Sequence, residues 1–415
     1  MKKVKTLFFW TICPIIASAQ TYNEGTLVIS PQTEISTVGV FTNALNGTVL
    51  NDGTLYVYDH FNNEGLVTFT PNSTTGITVL KGSKGIQNIG GTSPMDWNHV
   101  QFDNSSVQPA FQLSNEVTVF GQVDFLKGIL NSNAGQIIFE NTATAIHASD
   151  ESHIDGTVKK IGASSFEYPI GNSGYYRYAA LSAPDVITDS FTSQYFFENP
   201  GILYPGTKKE STIELVDHAE YWQIERTNGD SNVLLTLSWN EATTPPAIIA
   251  TPYEDIHIVR WDPVSEQWTD VGGVADFSSK EVTTLMKPVT SYGIFTLARV
   301  KASNTTVLNC AGVPVEIMNL MSPNNDGLND YFKILGLNLC PNNKLEIYNR
   351  WGVKVFETRS YDTKGNIFEG FSDARLTINK EKLLPPGTYF YVLTFRDENS
   401  AMKQKDKIGY LFMTY

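Results

Sequence analysis

Short β-forming segments that each follow a glycine recur through residues 25–160. They lie at residues 25–29, 47–50, 53–57 and 65–69, and again at 121–125, 128–130, 135–139 and 156–158. Polar turn residues, most often Asn or Asp, separate them. The spacing fits a coil of roughly 20–24 residues per turn, in which each segment forms one short face of a parallel β-helix. Asn and Gly tolerate the left-handed corner conformations that such a coil requires.

A β-sandwich built from hairpins would also give short strands and Asn-rich turns. The segments in this region are so short and so alike that they favour the solenoid over the sandwich. The region also resembles the β-solenoid stalks of Bacteroidetes surface proteins. We therefore predict a β-solenoid over residues 20–160, with the β-sandwich as the alternative.

A second pattern of strands begins near Phe166 and continues to about residue 300. The strand-like runs lie at residues 166–170, 191–197, 220–226, 233–239, 256–261, 267–271 and 292–298. Apolar and polar residues partly alternate in two of them, as expected for half-buried strands. This number of strands predicts an antiparallel sandwich over residues 161–300. We expect its tryptophans to be packing residues and not a platform for sugars. They are Trp222, Trp239, Trp261 and Trp268.

The last hundred residues contain four motifs in a fixed order. These are Ser-Pro-Asn-Asn-Asp-Gly-Leu-Asn-Asp at 322–330, Leu-Glu-Ile-Tyr-Asn-Arg-Trp-Gly at 345–352, Pro-Gly-Thr-Tyr-Phe-Tyr at 386–391 and Lys-Ile-Gly-Tyr at 407–410. The series resembles the gliding-motility-associated C-terminal domain, the type B sorting module of the Bacteroidetes type IX secretion system. The resemblance covers about residues 314–415.

The resemblance implies that this module is recognised during export across the outer membrane, after Sec-dependent passage into the periplasm. It also implies two partners, the type IX translocon and a PorP/SprF-like outer-membrane protein. Residues 368–370 read Phe-Glu-Gly where the family commonly has Trp-Asp-Gly. The best-matching residues are Pro323, Asn324, Asp326, Gly327, Asn329, Asp330, Asn349, Arg350, Trp351, Gly352, Gly387, Thr388, Tyr389, Tyr391, Gly409 and Tyr410. We expect the module to fold as a small β-sandwich, preceded by a linker over residues 301–313.

The amino terminus has the pattern of a cleaved signal peptide. Lys2, Lys3 and Lys5 precede a short apolar stretch at residues 7–16, and Ala-Ser-Ala at 17–19 fits a cleavage site. The stretch is shorter than the roughly 18 residues that a membrane-spanning helix needs, and no later stretch approaches that length. We therefore predict a signal peptide over residues 1–19 and an exported mature chain without a transmembrane segment.

Charge limits the classes of partner. The chain has 43 acidic and 30 basic side chains and a formal net charge of −13. A nucleic-acid-binding protein needs basic patches, so this balance argues against that class. The negative charge is explained most simply by solubility outside the cell.

Three groups of residues have side chains suited to a disulfide, a metal site or catalysis. Cys310 and Cys340 suggest a disulfide in an oxidising compartment. Asp326 and Asp330 lie in an oxygen-rich loop that calcium could occupy, although an Asx-type turn explains the loop more simply. The third group resembles a polar corner of the solenoid more than a paired-carboxylate site. It consists of His147, Asp150, Glu151, His153 and Asp155.

These observations predict an all-β, non-enzymatic, adhesin-like protein that is secreted or held at the cell surface. We expect no catalytic residues and no cofactor other than calcium, and a surface glycan or matrix component as its target. Two alternatives remain at this point. One is a β-helix polysaccharide lyase or hydrolase, which would need several carboxylates on one solenoid face. The other is an accessory component of the gliding or secretion apparatus.

Overall fold

The structure is a computed structural model that describes residues 20–285, 288–301, 309–363, 365–372, 382–396 and 404–415. The predicted signal peptide at residues 1–19 lies outside this range, as does most of the predicted linker. The described residues form β-strands and three short 3-10 segments, Pro200–Ile202, Tyr253–Asp255 and Leu337–Leu339. No helix in these ranges has the length and apolar character to cross a membrane.

Residues 21–146 form six coils of a parallel β-solenoid, and each coil has three short strands. The strands are β1 Thr21–Asn23, β2 Thr26–Ile29, β3 Glu34–Thr37; β4 Phe41–Asn43, β5 Thr48–Asn51, β6 Thr54–Val57; β7 Phe61–Asn63, β8 Leu66–Thr68, β9 Ile77–Gly82; β10 Gln87–Gly90, β11 Met95–Trp97, β12 His99–Asn104; β13 Phe111–Leu113, β14 Glu116–Val119, β15 Gln122–Lys127; β16 Leu130–Asn131, β17 Gln136–Phe139 and β18 Thr144–Ile146. A seventh coil begins with β19 Ile154–Asp155 and β20 Val158–Ile161. The predicted solenoid is confirmed.

Each strand pairs in parallel with the strand one coil away, which gives three sheets along the solenoid. The first runs β1-β4-β7-β10-β13-β16-β19, the second starts β2-β5-β8-β11-β14-β17-β20, and the third is β18-β15-β12-β9-β6-β3. Alternate side chains point inward, as the two-residue period of a strand requires. Phe41 and Phe61 are both fully buried and meet edge to face, with ring centroids 5.0 Å apart.

A ladder of asparagines fixes the register of the first three coils. The side-chain amide of Asn23 donates to Oδ1 of Asn43 at 2.8 Å, and Nδ2 of Asn43 donates to Oδ1 of Asn63 at 2.8 Å. Asn63 then donates to the backbone carbonyl of Ser93 at 2.9 Å. Because a slipped coil would leave these buried amides unpaired, the ladder selects one stacking of the coils.

The coils are unequal in length. Their first strands begin at residues 21, 41, 61, 87, 111, 130 and 154. The third coil is therefore the longest, because a loop at 69–76 separates β8 from β9 and a second loop at 83–86 separates β9 from β10. Of the glycine-led segments named above, the one at 65–69 lies in this coil, and the next begins at residue 121 in the fifth coil.

Antiparallel strands follow the solenoid and continue one of its sheets. They are β21 Phe166–Tyr168, β22 Gly171–Asn172, β23 Tyr175–Tyr176, β24 Ala179–Leu181, β25 Ser190–Phe196, β26 Ile213–Val216, β27 Tyr221–Asn228, β28 Leu235–Ser238, β29 Ile256–Asp262, β30 Gln267–Gly272, β31 Val274–Asp276, β32 Glu281–Thr283 and β33 Gly293–Val300. The second solenoid sheet continues from β20 through β25-β27-β33-β29-β30, with β26 beside β33. We name the separate five-stranded sheet β21-β24-β28-β32-β31 the central sheet.

The solenoid and the antiparallel region share one hydrophobic core. A single buried cluster extends from Ile29 in the first coil to Leu297 in β33. Trp222, Trp239 and Trp268 are buried, as expected for packing residues. The predicted boundary at residues 160 and 161 therefore falls where the strand direction changes, inside a continuous core.

The C-terminal domain has a sheet and a core of its own. Its strands are β34 Asn309–Cys310, β35 Val313–Pro314, β36 Glu316–Ile317, β37 Leu320–Met321, β38 Ile334–Leu335, β39 Asn343–Asn349, β40 Lys354–Arg359, β41 Gly387–Arg396 and β42 Gln404–Met413. The five-stranded C-terminal sheet has the order β37-β42-β41-β39-β40. One face packs on a layer of loops and short strands between residues 309 and 372, which we name the loop layer. The all-β class with separate antiparallel sheets is confirmed.

The other face of the C-terminal sheet packs on the central sheet. Side chains alternate along β41, so Tyr389, Tyr391 and Leu393 enter the domain core while Phe390 and Val392 point the opposite way. Phe390 and Val392 are buried in a cluster with Leu285. The order of layers is therefore long sheet, central sheet, C-terminal sheet and loop layer.

Candidate functional site

The first C-terminal motif folds as a closed loop. Both oxygens of the Asp330 carboxylate accept backbone hydrogen bonds, from Asn325 at 2.7 Å and Gly327 at 2.8 Å. Asp326 accepts one from Leu328 at 2.7 Å. Side-chain acceptors of this kind allow a loop to turn without help from a sheet. Three residues of the loop have positive φ: Asn325 at 61°, Gly327 at 87° and Asn329 at 56°.

The same hydrogen bonds bear on the predicted calcium site. The carboxylates of Asp326 and Asp330 are engaged by backbone N–H groups and by the Asn324 amide, 3.1 Å from Asp326. Within the described ranges, no group of three or more His, Cys, Asp or Glu side chains is arranged to hold a metal ion. Asn and backbone oxygens could still complete such a site. Calcium at this loop stays a prediction.

The second motif is the tight turn between β39 and β40. Oδ1 of Asn349 accepts from the backbone N–H groups of Trp351 and Val353, each at 3.0 Å. Gly352 has φ of 76°, and a Cβ added there would lie 2.3 Å from Cδ1 of Leu234 on the neighbouring domain. Glycine is therefore needed at this position for two reasons: the turn has a positive φ there, and a side chain would clash with Leu234.

The turn carries Arg350 into an acidic recess of the antiparallel region. The guanidinium donates to Oε2 of Glu167 at 2.8 Å and lies 3.9 Å from Oε2 of Glu281. The Tyr176 hydroxyl donates to Glu167 at 3.0 Å, and the Tyr178 hydroxyl donates to Glu281 at 2.7 Å. The two carboxylates, each of which accepts a hydrogen bond from a tyrosine hydroxyl, together form a site for one cation. We name this set the arginine recess.

Burial sets the charge state of the recess. The Glu281 side chain is 2% exposed, and burial raises its pKa while the nearby Arg350 charge and the Tyr178 hydroxyl lower it. Burial raises the pKa of Tyr178 well above its ordinary value, so its hydroxyl stays protonated and donates. Arg350 is the cation that makes a charged Glu281 tolerable at this depth.

The third and fourth motifs supply both faces of the C-terminal sheet. Tyr389 and Tyr391 are buried in the domain core. The hydroxyl of Tyr391 lies beside Gly409, where an added Cβ would be 2.4 Å from that oxygen. On the opposite face the Thr388 hydroxyl donates to Oδ2 of Asp276 in the central sheet. Tyr410 packs on the same face, against the cluster of Phe390 and Val392.

The remaining motif positions pack inside the C-terminal domain. Pro323 is buried and lies near Gly370, whose φ is 84°. Phe368, which stands where the family commonly has Trp, is fully buried and packs on Phe356 with ring centroids 5.1 Å apart. The aromatic role is therefore kept at this position. Gly387 begins β41 with φ of 143°.

A disulfide ties the start of the C-terminal domain to the segment before β39. Cys310 and Cys340 are joined, with their Cα atoms 5.4 Å apart, and both are buried. The bridge therefore belongs to the core of the loop layer.

The polar group at the end of the solenoid is dispersed among separate partners. His147 pairs with Asp124 at 2.8 Å, and Asp150 accepts the backbone N–H of Tyr176 at 2.7 Å. His153 is fully buried, and burial lowers its pKa. Asp155 accepts from the Asn172 amide at 3.1 Å, and Glu151 is exposed. These contacts are structural ones at the junction with the antiparallel region.

The partners of the motif residues could not be identified from the sequence. Glu167, Tyr176, Tyr178, Asp276 and Glu281 are far from the C-terminal domain in sequence, and none belongs to a recognisable motif. Only the folded arrangement shows that the motif residues Arg350, Gly352, Thr388 and Tyr410 contact the preceding domain.

Comparison with known families identifies the C-terminal domain. Residues 315–413 match the CHU_C Type IX secretion signal domain. The predicted sorting domain is thereby confirmed, and it indicates sorting by type IX secretion and export to a surface or secreted location. A search of curated proteins finds no match to the chain.

Proposed function

We propose that the chain is a non-enzymatic, adhesin-like β-protein that type IX secretion delivers to the cell surface or the medium. The match of residues 315–413 to the secretion signal domain carries this proposal. The solenoid supports a role as a surface spacer, because stacked coils extend a chain in one direction and repeat their outer faces. In this proposal the chain first crosses the inner membrane by the Sec route, and its C-terminal domain then binds a PorP/SprF-like outer-membrane protein.

Two observations favour a contact role over a catalytic one. Four of the five polar residues at the end of the solenoid hydrogen-bond to a local partner, as His147 does with Asp124 at 2.8 Å, and the fifth, Glu151, is exposed. The outer face of the central sheet is covered by the C-terminal sheet, which buries Phe390 and Val392 there. The solenoid therefore offers the larger free surface for a partner.

The test is deletion of residues 314–415, followed by fractionation into periplasm, outer membrane and medium. We expect the truncated chain to accumulate in the periplasm. Because the deletion uncovers the central sheet, protease resistance of the periplasmic chain must be checked. A second variant, Asp330→Ala, opens the motif loop but keeps the interface residues, and it should also reduce export. Normal arrival of the truncated chain outside the cell would contradict the proposal.

A further inference from the structure

An open groove of 830 Å³ lies on the solenoid, at the corner where each coil passes from the third sheet to the first. Four consecutive corners line it. They contribute Val38, then Tyr58 with Asp59 and His60, then residues 81–87, then Asp103 and Ser105. Because neighbouring coils are about 4.8 Å apart, the four corners extend over roughly 14 Å. The groove therefore has the dimensions of a site for a short chain molecule.

Buried amides hold the wall of the groove in place. Nε2 of Gln87 donates to the backbone carbonyls of Val57 and Asp59, each at 3.0 Å. Nδ2 of Asn104 donates to the carbonyl of Gly85 at 3.0 Å and to Oε1 of Gln87 at 3.2 Å. Gln87 is 3% exposed and Asn104 is fully buried. The wall at residues 82–86 is thus fixed before any ligand arrives, which lowers the entropy cost of binding.

The apolar part of the groove centres on a tyrosine. Tyr58 is 42% exposed, and its ring stacks beside that of Tyr56 with centroids 6.4 Å apart and planes 24° apart. Val38 and Ile86, which also line the groove, are exposed. A flat, exposed ring that a second ring supports offers a hydrophobic surface of fixed orientation.

The charges in the groove balance one another. Nζ of Lys81 lies 3.0 Å from Oδ2 of Asp103, and Lys84 and Asp59 contribute one further charge of each sign. Nδ1 of His60 accepts the backbone N–H of Asn88 at 3.1 Å and lies 3.4 Å from Oδ1 of Asp59. A groove without net charge, in a chain of net charge −13, suits an uncharged ligand.

We propose that this groove binds an uncharged oligosaccharide, with a pyranose ring stacked on Tyr58. A sugar hydroxyl both donates and accepts hydrogen bonds. The Lys81–Asp103 pair offers a donor and an acceptor side by side, and the hydroxyls of Ser83 and Ser105 offer both. Ligand pockets combine apolar surface with a few placed polar groups in this way.

This inference rests on the contact role proposed above. It adds the class of ligand and places the binding site on the solenoid. Binding is measured on the purified chain and export is measured in cells. A failure of one experiment therefore leaves the other standing.

The experiment is isothermal titration calorimetry of the purified chain with cello-, xylo- and manno-oligosaccharides, and with oligogalacturonates as the charged series. We expect at least one neutral series to bind and the uronates to bind no more tightly, because Asp59 and Asp103 offset the charges of Lys81 and Lys84. Tyr58→Ala should weaken binding tenfold or more, which corresponds to about 1.4 kcal/mol. Asp103→Asn should weaken it without changing the shape of the groove.

Tyr22→Ala is the matched control, because Tyr22 is an exposed tyrosine of the first sheet outside the groove, 64% exposed. It should leave binding unchanged. Circular dichroism checks that each variant is folded. The proposal is overturned if no neutral oligosaccharide binds at millimolar concentration, if Tyr58→Ala binds like the wild type, or if uronates bind more tightly than neutral sugars.

Discussion

Replacing Arg350 with methionine removes the cation that the C-terminal domain places in the arginine recess. The contact with Glu167 joins two half-exposed side chains, so its loss should cost about 0.5–1 kcal/mol. Glu281 is 2% exposed and would keep only the Tyr178 hydroxyl. Breaking a fully buried pair costs roughly 3–5 kcal/mol. Because Arg350 is 39% exposed and 3.9 Å away, we expect about 1–2 kcal/mol here. The free energy of unfolding should therefore fall by about 1.5–3 kcal/mol in total.

The loss should depend on pH. Burial raises the pKa of Glu281 and Arg350 lowers it, so the substitution moves the folded-state pKa further above the unfolded value. A carboxyl with a raised pKa in the folded state favours folding at low pH, and this contribution is lost as the pH rises through that pKa. The deficit of the variant should therefore be largest near neutral pH and shrink as the pH falls toward the ordinary value of 4.5.

Urea unfolding followed by tryptophan fluorescence, at about pH 7.5 and about pH 5, measures this deficit. Glu281→Gln in the same chain removes the charge that needs a partner, and it should restore most of the loss at the higher pH. The reasoning is refuted if the deficit is equal at both pH values and Glu281→Gln does not change it. Arg350 would then act through its contact with the Trp351 ring, 4.6 Å away.

Four further predictions concern the solenoid and the C-terminal domain, and each is measured as a change in the free energy of unfolding. Asn43→Leu breaks the asparagine ladder and should cost about 3 kcal/mol, whereas Asn62→Ala on the outer face should change little. Gly327→Ala should cost about 1 kcal/mol because its φ is 87°, with no atom near the added Cβ. Gly352→Ala should cost more, because its Cβ meets Leu234, and Leu234→Ala should remove the excess in a double-mutant cycle. Replacing Cys310 and Cys340 with serine should cost about 3 kcal/mol for a separation of 30 residues, and no loss would contradict the bridge.

The solenoid could be predicted because each coil repeats a local pattern. Glycine-led segments and Asn-rich corners recur at nearly constant spacing in the first two coils. The recurrence is harder to recognise over residues 70–120, since the corners there are longer and inward residues such as Trp97 and Phe102 belong to no repeated segment. The period of a solenoid is set by its inner stack and not by the length of its corners, so insertions hide the repeat without breaking it.

Sheet partners and domain contacts could not be predicted in the same way. The pairing of β20 with β25 joins the solenoid to the antiparallel region. This pairing depends on which strand edge is left unpaired once the solenoid has folded, and no local sequence pattern indicates which edge that is. The arginine recess is a similar case. Its motif residue was visible in the sequence, but Glu167 lies 183 residues away from Arg350. An ion pair between residues far apart in the chain produces no periodic pattern in the sequence.

The packing of the C-terminal sheet on the central sheet limits which surfaces of the C-terminal domain a receptor can contact in the folded chain. One face is covered by the central sheet through Phe390 and Val392, and the other is covered by the domain's own loop layer. A receptor that meets the folded chain therefore contacts the outside of the loop layer or the edge strands β37 and β40. The motif residues divide accordingly. Asp326 and Asp330 shape an exposed loop in the loop layer, whereas Arg350 and Thr388 hold the domain to its cargo.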